Sequence, residues 1–157
     1  MLFRSIQDPG RWKDRIVSLS EILGASDPDL SRLHAKGGKI LWIQGQDDPS
    51  VSPYANAEVY ESMVKRMGQS KVDDLMRFYL VPGLAHGGGN FSPTWDNLAI
   101  LDAWVDRGVA PPAVPVTYDG TKSATRGRSR PLCVYPGWPR YNGSGDVNQA
   151  ASFSCAK

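Results

Sequence analysis

The chain has 157 residues, the length of one domain or a part of one, so a two-domain enzyme complete within it is excluded. Hydrophobic residues make up 41% and charged residues 22%, enough apolar material for a packed core and too much for wholesale disorder. A formal net charge of +2 is too small to make nucleic acid or an anionic membrane the main partner, so the partner has to be found from a site.

The start, MLFRSIQDPGRW, has neither an apolar signal core nor a small-residue cleavage site. No apolar run approaches the ~18 residues that span a bilayer. Trp12, Ile16, Leu19, Ile22 and Leu23 recur at helical spacing, and SDPDLSRL then reads as a loop with a short capped helix; residues 1–38 form a lead-in. Lys39 to Gln44 is a compact apolar run of strand type. Gly45 to Pro53, dense in Asp, Ser, Gly and Pro, is a loop, and Tyr60, Met63, Val64 and Met67 mark one face of a helix that stops at Gly68. The pattern repeats: strand Met76 to Val81, loop Pro82 to Asn90, and a helix with Leu98, Leu101, Trp104 and Val105 on its apolar face, ending at Gly108. Two strand-loop-helix units over 39–110 predict parallel neighbours in an α/β sheet, whose ligands gather at the loops leaving the strand carboxyl ends. The tail, 111–157, is proline-rich at its start, offers an edge strand over Val114 to Tyr118, and is otherwise irregular.

Both loops of interest carry chemistry. The first reads Gly45-Gln-Asp-Asp48-Pro-Ser-Val51 and the second Val81-Pro-Gly-Leu-Ala-His86-Gly-Gly-Gly89, which puts an acid and a histidine at equivalent places in consecutive units. In a Ser-His-acid hydrolase the carboxylate orients the imidazole and stabilises its protonated form, and the acid precedes the histidine in the α/β-hydrolase chain order. Taken singly, Asp48 before Pro49 reads as a turn residue and His86 as a solvated loop histidine; the matched pair favours catalysis. His86-Gly87-Gly88-Gly89 also resembles an oxyanion-hole motif, but no G-x-S-x-G elbow follows it, and none precedes it in the chain. The nucleophile is therefore expected outside these residues.

His34, Asp47, Asp73 and Asp74 lack metal-ligand spacing, and Gly37-Gly38-Lys39 lacks the rest of a phosphate-binding loop, so neither metal nor cofactor is expected. Lys122, Arg126, Arg128 and Arg130 read as a solvent-facing basic stretch rather than a nucleic-acid track. Two cysteines, Cys133 and Cys155, sit in the tail; a single disulfide, with an oxidising compartment, is favoured over free thiols.

Five stretches together resemble the tannase and feruloyl esterase family of α/β hydrolases: Asp27-Pro-Asp-Leu-Ser31 leading to Gly37-Gly-Lys39; Gly45-Gln-Asp-Asp48-Pro with Ser52-Pro53; Val81-Pro-Gly-Leu-Ala-His86; Arg130-Pro-Leu-Cys133-Val-Tyr-Pro136; and Arg140-Tyr-Asn-Gly-Ser-Gly-Asp-Val-Asn148 before Cys155. The resemblance covers about residues 25 to 157. It implies that Asp48 is the triad acid, His86 the triad base, and that Cys133 and Cys155 form the tail disulfide. It further implies a serine esterase of aromatic acids, secreted or periplasmic when whole, whose serine elbow and lid domain lie upstream. This chain is then the C-terminal portion, inactive alone, with the upstream segment as its partner. Family members commonly carry a Cys directly after the catalytic His, bonded to one beside the serine; Gly87 stands there instead. The alternative is a stand-alone binding module with Trp138 and Tyr141 as its platform. On the catalytic reading, an Asp48 carboxylate oxygen lies about 2.6 to 3.2 Å from His86 Nδ1.

Overall fold

The computed structural model describes residues 9–120 and 127–157. Its centre is a pair of parallel strands, β1 (Ile40–Gly45) and β2 (Met76–Val81), in register Ile40 to Met76 through Gly45 to Val81. Every residue of both strands alternates between faces, and both faces are apolar, as a parallel pair covered on two sides requires. On one face Trp42 and Phe78 pack with ring centroids 4.6 Å apart, joined by Tyr60 and Tyr135. On the other, Tyr79 and Val81 pack with Phe91 and Leu132, against Leu41, Ile43 and Trp95.

The connection between the strands is helical. Helix α3 (Pro53–Met67) begins where Ser52 accepts the Ala55 N–H at 3.2 Å and Pro53 occupies the first turn. It buries Ala57, Tyr60, Met63 and Met67 against the sheet. Two smaller helices precede β1: α1 (Lys13–Leu23), entered through a 3₁₀ turn, and α2 (Ser31–Ala35). None of the residues of α1 is buried; Trp12, Ile16, Leu19, Ile22 and Leu23 all remain exposed, so its apolar face has the periodicity expected but no cover. The helix stops at Gly68, as expected, and a further helix that the sequence pattern did not reveal, α4 (Gln69–Leu75), follows and buries Val72 and Leu75 before β2 begins. Gly68, with φ +86°, makes the turn between the two helices.

After β2 and the histidine loop comes β3 (Pro93–Thr94), then helix α5 (Asn97–Arg107), capped by Asp96 on the Ala99 N–H and closed by Gly108. The expected edge strand is shifted: β4 runs Val116–Asp119 and pairs antiparallel with β3 and with β5 (Ser129–Pro131). The tail is more ordered than its composition suggests, since β6 (Trp138–Tyr141) and β7 (Phe153–Ala156) form an antiparallel pair. Between β5 and β6 the chain runs along the outer edge of β2, with a bridge from Val134 to Tyr79 and a bond from Tyr135 N–H to the Phe78 carbonyl at 2.8 Å. A disulfide joins Cys133 in this segment to Cys155 in β7.

Candidate active site

The acid loop leaves β1 at Gly45 and the histidine loop leaves β2 at Val81, partners in the register, so both loops start from the same end of the sheet. They are bonded through backbone: Gln46 N–H donates to Val81 and Asp47 N–H to Leu84, each at 3.0 Å. A Cβ on Gly45 would collide with the Leu84 carbonyl, so only glycine allows the histidine loop to lie this close over the end of β1. Asp47 thus contributes its backbone amide, and the neighbouring Asp48 turns its side chain to the histidine.

Asp48 Oδ2 lies 3.1 Å from His86 Nδ1. The two sites differ in exposure: the Asp48 side chain is 8% accessible, that of His86 62%. The other carboxylate oxygen, Oδ1, accepts the backbone N–H groups of Ser50 at 2.8 Å and Val51 at 2.9 Å. These donors favour the charged form. The Val51 amide lowers the Asp48 pKa most; burial opposes it, and the Ser50 amide and His86 add to the lowering. An ionised carboxylate, fixed on one oxygen by the backbone, presents the other to the imidazole as an acceptor, which places the proton on Nδ1 and leaves Nε2 as the basic nitrogen.

Two supports were not visible in the sequence reading. Gln44, buried at the end of β1, donates from Nε2 to the carbonyls of Gly45 and Val51 and accepts from Asn56 of α3, tying the far side of the acid loop to strand and helix. Its sequence signal was a lone amide ending an apolar strand. The second is at the root of the histidine loop. Arg128, expected to face solvent, is only 20% accessible and pairs at 2.9 Å with Asp119, whose side chain is fully buried. Arg128 also donates to the Asn90 carbonyl, while Asp119 accepts the Ser92 N–H at 3.3 Å. Arg130 is half-buried with its guanidinium 4.3 Å from the Phe153 ring centre. The solvent-facing reading of these two arginines is thereby corrected: Asp119 and aromatic faces offset their desolvation. Lys122 and Arg126 lie outside the described residues.

Beside the loop, Ile43, Leu84, Gly87, Gly88 and Trp95 line an open hollow of about 360 Å³. Among the described residues no three His, Cys, Asp or Glu side chains gather to hold a metal ion, and no helix is long and apolar enough to cross a membrane.

The family described as tannase and feruloyl esterase matches residues 3–156. An uncharacterized esterase of Agrobacterium fabrum is 62% identical over 99% of this chain and 28% of its own length. A probable feruloyl esterase of Arthroderma benhamiae is 37% identical over 95% of this chain and 28% of its own. The crystal structure of feruloyl esterase B from Aspergillus oryzae superposes with a TM-score of 0.72 at 26% identity, covering 83% of this chain and 29% of that one. The chain thus spans under a third of the length of each.

Proposed function

Because the chain belongs to the tannase and feruloyl esterase family, we propose that it carries the acid and base of a serine carboxylic-ester hydrolase, an α/β hydrolase of aromatic (phenolic) acid esters. The observation that carries this reading is the contact of Asp48 with His86 at 3.1 Å, between loops leaving the same end of two parallel strands. His86 Nε2 takes the proton of a serine hydroxyl as that oxygen attacks the ester carbonyl. The imidazolium is stabilised by Asp48 and returns the proton to the departing alcohol. A water, deprotonated by the same nitrogen, then releases the acid from the serine.

The serine comes from a segment preceding this chain, in keeping with the greater length of the relatives. The hollow beside Gly87, Gly88 and Trp95 is where that segment and the acyl group approach. Phenolic acid esters are the first substrates to try, because the family description and the fungal relative's name both point to that class. The Cys133–Cys155 bond supports an oxidising compartment, secreted or periplasmic.

The test is hydrolysis of methyl ferulate and methyl gallate by this chain alone. No turnover above buffer is expected. Turnover that His86→Ala abolishes would mean that the chain holds its own nucleophile and would refute the division of the triad.

A further inference from the structure

A cleft of about 260 Å³ opens between the root of the histidine loop and the stapled tail. Leu80, Phe91, Leu132 and Phe153 give it apolar walls, and Arg128 and Arg130 line it together. The two guanidiniums are not equally compensated. Arg128 is held by Asp119, yet its Nε is buried with no hydrogen-bond acceptor among the described residues. Arg130 stacks on Phe153 and donates one N–H to the Ser129 carbonyl at 2.7 Å. No described carboxylate lies within ion-pair distance of it.

Partial burial and the repulsion of Arg128 lower the Arg130 pKa, outweighing the pull of Asp119 and Asp146. A half-buried cation beside another, with one face on an aromatic ring and its remaining N–H edges open to a cleft, is short of an anion. Guanidinium edges match a carboxylate's two oxygens, and the apolar walls match a hydrocarbon body rather than a hydrated inorganic ion. At about 260 Å³ the cleft lies just under the usual range for drug-sized ligands, which suits a single ring.

The geometry points to a binding site for a small aromatic monocarboxylate in the Arg128–Arg130 cleft, separate from the Asp48–His86 pair. It stands whether or not the histidine catalyses, because it uses none of the acid-base groups.

Titration of the isotopically labelled protein with benzoate, followed by amide chemical shifts, tests it. Saturable shifts are expected at Phe91, Leu132 and Phe153, weakening with added salt. Benzamide, which has the ring without the charge, and acetate, which has the charge without the ring, should each bind at least tenfold more weakly than benzoate. Arg130→Gln should lose at least tenfold in benzoate affinity. Equal binding of benzamide and benzoate overturns the proposal without any variant, as does benzoate binding centred on His86, or a lack of saturable shifts. A folded Arg130→Gln protein that binds benzoate like the parent overturns it too.

Discussion

Asp48 is the residue on which the site turns, and its bonds set its response to pH. The folded pKa lies below the ordinary aspartate value, first through the Val51 amide. A group so shifted adds stability above its unfolded pKa of about 3.9, and that contribution is lost as pH falls through the folded value. The acid loop should therefore loosen only at pH values below the usual aspartate range. Asp48→Asn should flatten the acid limb of a melting-temperature profile below about pH 4, because the variant has no proton to gain there. A parent and variant with parallel acid limbs would show that the carboxylate is not held by these donors. Gly87 belongs to the same scale. Its φ is +75° with open space around its Cα, so a cysteine there, as the family commonly has, would fit spatially but would adopt a backbone conformation costly for an L side chain. His86 is held here from the Asp48 side and by the loop's backbone bonds, without that tether.

Among elements, β1, β2 and α3 were legible because each buries a regular pattern: Tyr60, Met63 and Met67 at helical spacing, and alternate strand residues on two apolar faces. Helix α5 has the same spacing, yet of its expected apolar face it buries Trp104 and leaves Leu98 and Val105 exposed. Phe78 shows what the strand packing is worth. It is fully buried against Trp42, Tyr60 and Tyr135, so Phe78→Ala should cost about 3–5 kcal/mol in denaturant unfolding. A loss under about 1 kcal/mol would mean that this face is not the core. The other elements left no such stripe. Strands β3 and β5 have two and three residues, include prolines, and depend on partners far along the chain. Helix α4 was hidden because glycine at position 68 is both a stop signal and a hinge. The contact of Asp48 with His86 could be read from two matched loops, whereas the burial of Arg128 could not, since it depends on where a distant acid, here Asp119, comes to lie.

For the whole molecule, the two edges of the parallel pair differ. The edge of β2 is covered by the tail, while among the described strands β1 pairs only with β2. Exposed Leu98 and Val105 on α5, with Ile16, Leu19 and Leu23 on α1, add uncovered apolar surface. This pattern suits a sheet that continues beyond β1, as the proposed division of the triad would require. A self-sufficient module, with Trp138 and Tyr141 exposed on β6 as its platform, predicts instead a monomer with one cooperative melt; the divided enzyme predicts self-association of the isolated chain. Either way the tail depends on its staple. The cysteines are 22 positions apart, a loop whose closure is worth about 3 kcal/mol through the unfolded chain. Reduction should lower unfolding stability by about that amount, and an unchanged stability would contradict a structural role.

The central claim, that Asp48 and His86 serve a serine supplied from upstream, is tested most directly by a chimera. This chain replaces the matching 28% of the Agrobacterium esterase, and hydrolysis of 4-nitrophenyl acetate and methyl ferulate is followed with the intact relative as control. The chimera should turn over. His86→Ala and Asp48→Asn should each lower kcat by roughly 10³-fold or more, in line with triad members elsewhere. A folded chimera whose turnover is unchanged by His86→Ala, or one that is inactive while the relative is active, would contradict the account.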